Sequence, residues 1–389
     1  MNKKILKAIL VLAGITFVGC SSTKMAFNLN AIEMNRVLKN ANIYLDAEPE
    51  TVTASFCSRS AGTNHDFYSE GDYWWPDEQN PDGSYIRKDG LTNPANFNNH
   101  REALIRFSQI SGALASAYIL TKEQKYADKL ALHLQAWFVN ENSKMNPNLL
   151  YAQAIKGIAT GRGIGIIDTI HLIEVAKAVQ AIQDSSALSK ADLTAIKSWF
   201  SDYLKWLTTH EYGIAERDNG NNHSVCWTMQ VAAFADLTDD EAIMEFCRTF
   251  YKNTLLPNQM AANGSFPLEL KRTKPYGYSL FNLDAMASIC QILSNKEDNL
   301  FTYTTKDGQN LALGLQFIAP FIANKSLWPY QKDVMHWEEW PVRQSSLLFG
   351  GMALHNKSYL DLWKSLKTDF TNPEVIRNMP VRYPLLWIN

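Results

Sequence analysis

From His100 onward the chain is almost wholly helical in pattern, and this limits the fold more than any other feature. Apolar residues recur at helical spacing over 100–121, 123–139, 165–183, 189–208, 221–236, 239–255, 279–293, 309–323 and 343–355. An earlier amphipathic segment runs from Asn30 to Asp46, with Ile32, Met34, Val37, Leu38 and Ile43 on its apolar side. Short polar joints such as Thr121-Lys122-Glu123 and Thr238-Asp239-Asp240 separate the segments, and Thr238 or Asp239 is placed to cap the helix that follows. Phe301 to Thr305 is the best short strand candidate. The expected class is all-α, and the helix–joint–helix rhythm is that of stacked hairpins. An α/α toroid, a closed or incomplete α/α barrel, fits, with its loops gathered at one rim around a cleft. Periodicity alone leaves a plain bundle or solenoid open. No composition break marks a second domain, so 30–389 reads as one domain.

The stretch from Glu48 to Asn99 breaks the pattern. It is rich in Pro, Gly, Asp and aromatics, and includes the runs His65–Pro76 and Pro81–Gly90. A long irregular stretch within a compact domain is functional or disordered, and this many aromatics argue for packing. The expectation is an aromatic-rich loop insert on the N-terminal side of the toroid.

The chain opens with Lys3, Lys4 and Lys7, an apolar run from Ala8 to Val18, and then Gly19-Cys20-Ser21-Ser22. This is the layout of a bacterial lipoprotein signal, and the apolar run is short for a membrane span. On this reading 1–19 are removed, Cys20 carries the lipid that anchors the protein to a membrane, and 20–29 form a linker. The product is then exported, to the periplasmic side of the outer membrane or the cell surface. Losing the three leader lysines takes the formal charge from −2 to −5. No overall field attracts a polyanion, so nucleic acid is not an expected partner, and an acidic ligand must be met by a local basic cluster. Cys57, Cys226, Cys247 and Cys290 form no Cys-x-x-Cys pair and read as buried free thiols, with no zinc site expected. His171 and Glu174 have ligand-like spacing, but no second histidine pair completes a site, so they read as structural.

The chemistry-bearing stretch is Asn219-Gly220-Asn221-Asn222-His223-Ser224, just before an apolar segment. About fifty residues on comes Leu268-Glu269-Leu270-Lys271-Arg272-Thr273-Lys274-Pro275-Tyr276-Gly277-Tyr278. Singly, Asn222-His223 also reads as a helix start, Tyr278 as a core tyrosine and Arg272 as a surface cation. Together they offer an amide, an imidazole, a guanidinium and a phenol. That set can neutralise a carboxylate and move protons.

Asn221-Asn222-His223, then Leu-Glu-Leu-Lys-Arg, then Tyr278-Ser-Leu-Phe-Asn-Leu resembles the signature of the alginate lyase superfamily, including polysaccharide lyase family five. The insert His65–Pro76 with Tyr85–Gly90 is more similar to family thirty-eight, whose members cleave alginate or glucuronan. The resemblance runs from about Ala47 to Gly351. It implies an α/α-barrel lyase that cuts a 1,4-linked polyuronate by β-elimination with neither metal nor cofactor. By the same resemblance, Asn222 and Arg272 neutralise the carboxylate, while His223 and Tyr278 handle protons. Tyr278 is followed by Ser279 rather than the histidine of family five, Lys271 sits beside Arg272, and Tyr276 is a rival phenol. Arg59, His65, Tyr68, Trp74, Trp75, His100 and Arg101 are candidates to line the groove, as cations for carboxylates and aromatic faces for sugar rings, with Arg162 a further carboxylate contact. His336–Trp340 reads as a rim loop.

Two other classes remain at this stage. An inverting glycoside hydrolase on a similar barrel needs two facing carboxylates, for which Asp66, Glu70, Asp72, Glu216 and Asp218 are the candidates. A non-catalytic glycan-binding lipoprotein would also be helical and rich in aromatics.

Overall fold

The computed structural model describes residues 27–388, so the leader and Cys20 lie outside the described residues. The helices in chain order are α1 (Leu29–Tyr44), α2 (Asn99–Thr121), α3 (Gln124–Phe138), α4 (Leu172–Ile182), α5 (Lys190–Thr209), α6 (Glu211–Arg217), α7 (Asn222–Thr238) and α8 (Glu241–Phe250). They continue as α9 (Leu256–Gln259), α10 (Pro267–Leu270), α11 (Pro275–Leu293), α12 (Leu311–Ala323), α13 (Ser345–Ala353), α14 (Lys357–Ser365) and α15 (Pro373–Arg377). Four short strands, β1 (Tyr68–Glu70), β2 (Trp74–Trp75), β3 (Ile86–Arg87) and β4 (Tyr151–Ala154), make two small pairings, β1 parallel to β4 and β2 antiparallel to β3.

The helices form two layers. In the inner layer α2 packs on α4, α4 on α7, α7 on α11 and α11 on α13. These helices are buried nearly all round; α11, for example, leaves little beyond Tyr278 and Gln291 even partly exposed. An apolar, one-sided stripe would not serve there, since each inner helix meets protein on every side. The outer helices carry such stripes: α1 and α3 lie on α2, α5 and α8 on α7, α12 on α11 and α13, and α14 on α13. This is the expected all-α toroid of hairpins.

The interior is filled by the C-terminal segment. Val381, Tyr383, Leu385 and Trp387 are buried, and Tyr383 lies against Gly112 of α2, where a Cβ would come within 2.4 Å of its ring. Glu174 accepts hydrogen bonds from the backbone N–H groups of Arg382 (2.9 Å) and Tyr383 (2.6 Å), and His171 Nε2 donates to the Arg377 carbonyl (3.0 Å). The expected structural role of His171 and Glu174 is therefore to hold the tail. Cys57, Cys226, Cys247 and Cys290 are free and buried.

Four local expectations need correction. Phe301–Thr305 is no strand: Asn299 turns the chain there, its side chain accepting from Phe301 N (3.0 Å). The cap of α8 is Asp240, because Asp239 is left-handed (φ 59°) and ends α7 instead. The segment 165–183 starts as a 3₁₀ turn over Gly163–Thr169 and becomes α-helical only at Leu172. The segment 239–255 passes through a π turn at Tyr251–Leu255 into α9, next to Pro257, whose missing N–H interrupts the regular ladder.

Where α11 meets α13, Asp284 is buried with one oxygen accepting from Ser346 N (2.9 Å) and the other unpartnered among the described residues. Burial pushes its carboxyl up to about 7. A folded-state pKa above the unfolded one means that unfolding releases a proton between about pH 4 and pH 7, so this group's contribution falls as pH rises through that window. The effect is on the order of 4 kcal/mol at most. Asp284→Asn should therefore gain on the wild type as pH is raised from 4 to 7, read as the difference between their melting temperatures. A difference flat with pH would show that Asp284 titrates normally.

Candidate active site

A cleft of about 310 Å³ opens at the rim where α7 and α11 begin. The insert supplies one wall with Tyr73, Trp74 and Arg87, and the C-terminal segment supplies the floor with Glu374, Arg377 and Asn378. Asn222, His223, Arg272 and Tyr278 all line it.

On the α7 side, Asn221 is the cap, its side chain accepting from His223 N (2.9 Å). Asn222 is then pinned by Glu269 of α10. Its backbone N–H donates to Oε1 (2.8 Å) and its side-chain amide to Oε2 (2.7 Å). One amide hydrogen of Asn222 is thus spent and the other is left for the cleft. Burial pushes the Glu269 carboxyl up, and the two donors from Asn222 pull it back. His223 Nδ1 lies 2.7 Å from Oε1 of Glu216, a carboxylate with no exposure at all. Burial pushes Glu216 up and His223 opposes this.

On the α11 side, the first backbone N–H groups are taken by Asp333, which accepts from Tyr276 N (2.8 Å) and Gly277 N (2.9 Å). Both helix N-termini are therefore capped by protein, and what they offer an anion is the dipole rather than free donors. Tyr278 OH is 2.7 Å from Tyr73 OH, and the Arg272 guanidinium lies 4.7 Å from the centre of the Tyr278 ring. Burial pushes the phenol well up, Tyr73 adds to this, and Arg272 pulls it back. Arg272 itself donates to Asp89 of the insert at 3.1 and 3.4 Å.

Arg162 differs from the other arginines here. Its Nε donates to the Gln153 carbonyl (2.8 Å), its fork reaches Gln153 Oε1 (3.3 Å), and the guanidinium lies 5.8 Å from the Trp74 ring centre. It forms no ion pair among the described residues, and burial lowers it to about 10. Gln153 sits at φ +49°, a costly backbone for a residue with a side chain, and that turn aims its carbonyl at Arg162.

The structure gathers Asn222, His223, Arg272, Tyr278, Trp74 and Arg162 into the cleft and leaves the other candidates out. Tyr276 is fully buried and donates to the Phe321 carbonyl (3.1 Å), because it points into the core one helical step from Tyr278. His100 is a buried clasp, accepting from Tyr68 N and donating to the Ser55 carbonyl (both 2.9 Å). Arg101 is buried on Asp72 (2.8 Å) and Asp168 (3.3 Å), beneath the cleft. Arg59 and Tyr68 bond Glu70 in a separate open hollow. His65 donates to the Lys144 carbonyl (2.7 Å), and Trp75 to Leu91 (2.9 Å), outside the cleft.

The carboxylates that a hydrolase would need are committed elsewhere. Asp66 accepts from Thr63 N and Asn146 (both 2.7 Å), Glu70 holds Arg59, Asp72 holds Arg101 and Arg377, Glu216 holds His223, and Asp218 pairs with Arg217. Among the described residues no cluster of three metal-ligating side chains occurs. Sequence reading missed Gln153, Tyr73, Arg377 and Asn378 as cleft residues. Tyr73 lies inside the aromatic run already singled out, and Glu269 inside the Leu268–Arg272 run. Gln153 and Arg377 carry no local signal.

The alginate lyase family profile matches residues 51–328. An alginate lyase from Bacteroides ovatus is similar at 29% identity and a TM-score of 0.79, over 92% of this chain and 93% of that one. Alginate lyase A1-III from Sphingomonas species A1 is similar in fold, with 13% identity and a TM-score of 0.57, over 91% of this chain and 94% of that one. A His-to-Ala variant of A1-III, complexed with tetrasaccharide, gives 13% and 0.59 with the same coverage. Among curated proteins none matches. The chain belongs to the alginate lyase family and is a polysaccharide lyase.

Proposed function

We propose that the cleft cleaves a 1,4-linked polyuronate, alginate or glucuronan, with Asn222, Arg272 and Arg162 on the substrate carboxylate and His223 and Tyr278 moving the protons. The observation that carries this is Arg162: a largely buried guanidinium facing a cleft without an ion-pair partner among the described residues. Burying a cation that way is costly, and a substrate carboxylate supplies the missing partner.

The C5 proton of a uronate is a poor acid while the adjacent carboxylate keeps its charge. Arginine and the free amide hydrogen of Asn222 offset that charge and stabilise the enolate-like intermediate. A base then takes the C5 proton, the C4=C5 double bond forms, and the C4–O bond breaks as the departing oxygen is protonated. Tyr278 suits the acid step, with Arg272 beside its ring to stabilise the phenolate left behind. The protein's own cations supply the charge in this scheme.

A uronate polymer is met outside the cytoplasm, and an extracytoplasmic place of action goes with the family. Beyond that we read Cys20 as the lipid attachment and the mature protein as an envelope-anchored enzyme, on the leader sequence alone.

Purified mature protein incubated with polymannuronate, polyguluronate and glucuronan should raise the ultraviolet absorbance of unsaturated uronate ends on at least one of them. Reducing ends without new absorbance would mean hydrolysis. Tyr278→Phe should abolish turnover while oligouronate binding, measured by calorimetry, stays within a few-fold; Tyr276→Phe should keep activity, and the reverse pattern would misplace the acid. Arg162→Ala removes charge-assisted bonds of about 1.5–3 kcal/mol, an expected loss of roughly 10- to 100-fold in kcat/KM. Chelator should leave the rate unchanged, and strong inhibition would contradict the charge scheme.

A further inference from the structure

We propose that a second site for a sugar acid lies on the flank of the toroid, between α1 and α14, where Arg36, Lys39 and Arg343 take the ligand's carboxylate. The choice of a uronate as that sugar acid rests on the lyase reading above.

The site lies where the ring of inner helices needs help to close. That layer runs from α2 to α13, and the C-terminal segment bridges its two ends. Tyr383 lies on Gly112 of α2, and the Trp387 ring is 6.0 Å from Phe349 of α13. Outside this bridge a cavity of about 360 Å³ remains, walled by α1, the start of α13, α14 and the joint after it. It is larger than the cleft and has the size of a small-ligand site. The C-terminal segment separates the two. Glu374, Arg377 and Asn378 floor the cleft, and Val381 to Pro384 line the cavity.

The first observation is a shortage of negative charge. Glu33, Arg36, Asn40 and Tyr44 share one face of α1 at helical spacing and line the cavity. Glu33 is fully buried and serves two guanidiniums, Arg36 on one oxygen and Arg343 on the other (2.9 and 2.6 Å). Lys39, the next cation along α1, is exposed and forms no ion pair among the described residues. Asp369, the cavity's other acid, is also exposed and unpaired among them. Arg382 has its own acid behind it, Glu174 at 3.9 Å. Three cations thus face two carboxylates, and one more carboxylate completes the set. Burial lowers Arg343, Glu33 opposes this, and Arg36 adds to it.

The second observation is where hydrogen-bond acceptors run out. Buried oxygens without a partner occur in several parts of the molecule. Among the described residues, buried guanidinium nitrogens without one are the Nε atoms of Arg343 and Arg382, and both residues line this cavity. Arg36 Nη1 and Arg343 Nη2 also make no hydrogen bond among those residues and are not enclosed. Arg343 lies flat on Trp363 (4.2 Å) and Arg36 on Tyr383 (4.8 Å). Stacking sets the angle of each planar fork, which suits a carboxylate better than a lone ammonium would.

The neutral lining matches the rest of a sugar acid. Tyr44, Gln109, Ser345 and Thr368 reach the cavity, and none of their side chains makes a hydrogen bond among the described residues. Ring hydroxyls both donate and accept, so they can engage all four. A bare inorganic anion would use the cations and leave these groups idle.

The test uses the mature Tyr278→Phe protein, which does not consume its ligand. Calorimetry with the trisaccharides of mannuronate, guluronate and glucuronate should show two sites per chain for at least one of them. Adding Lys39→Glu should weaken one site about ten-fold or more and leave the other unchanged, and Arg343→Gln should act on the same site. Adding Arg162→Ala should weaken only the other. Lys39→Glu is the decisive variant, because Lys39 is exposed and its loss strands no buried group. A single site that both seam variants leave unchanged overturns the proposal while the lyase reading stands. Inorganic phosphate or acetate that displaces the trisaccharide from the second site at equal concentration would show a site for charge alone, and overturns the sugar-acid assignment. Wild type inactive on every uronate polymer defeats the lyase reading, and the titration then still decides the flank site by itself.

Discussion

Asp72 is fully enclosed and carries the joint on which the rest of the site stands. It accepts from Arg101 of α2 (2.8 Å) and from Arg377 of the C-terminal segment, and Arg101 also reaches Asp168 (3.3 Å). Burial alone would neutralise the carboxyl, but the two guanidiniums hold it at about 2. Beside it Lys274, at the start of α11, pairs with Glu374 at 2.6 Å. Removing one partner from such a network strands a buried charge, at a cost of about 3–5 kcal/mol. The next two residues after Asp72 are Tyr73 and Trp74, so the insert's wall of the cleft is set by the same joint that fixes the floor.

Around that joint three of the cleft's polar side chains are each backed by a carboxylate, and a fourth carboxylate caps the helix that carries Tyr278. Glu269 stands behind Asn222, Glu216 behind His223, Asp89 beside Arg272, and Asp333 under the first turn of α11. This arrangement turns two helix starts into rigid mounts: the donors that would otherwise bind an anion are occupied, and the side chains project with little freedom. Arg162 is the exception, held by the neutral Gln153 and so left with its full charge for the cleft.

The helices were legible because apolar periodicity is a local property: α2, α7 and α13 announced themselves within about two residues, while the starts of α4 and α11 were missed by seven and four. That Asn222, His223, Arg272 and Tyr278 meet in one cleft was legible because two short runs carry them together. What escaped has a common physical cause. Tyr276 and Tyr278 differ only in which side of one helix they occupy, and a helix buried all round gives no polar face by which to tell them apart. His100 and Arg101 have the residue types of a sugar-acid groove, yet they serve as a backbone clasp and a buried counter-ion. Gln153 enters the cleft through a left-handed backbone that its sequence does not demand, and Arg377 through a contact 305 residues distant. Long-range partners of that kind leave no spacing to read.

The lateness of Arg377 and Glu374 in the chain bears on biosynthesis. A growing polypeptide that has already emitted every inner helix still lacks the cation that closes Asp72 and the anion that closes Lys274. Until residue 377 is out, Asp72 and Asp168 share Arg101 as their cation, Lys274 lacks Glu374, and the insert has no floor to settle on. The geometry of the cleft is therefore a product of completion rather than of gradual growth, so a half-made molecule holds the parts of a polymer-cutting enzyme without its edge.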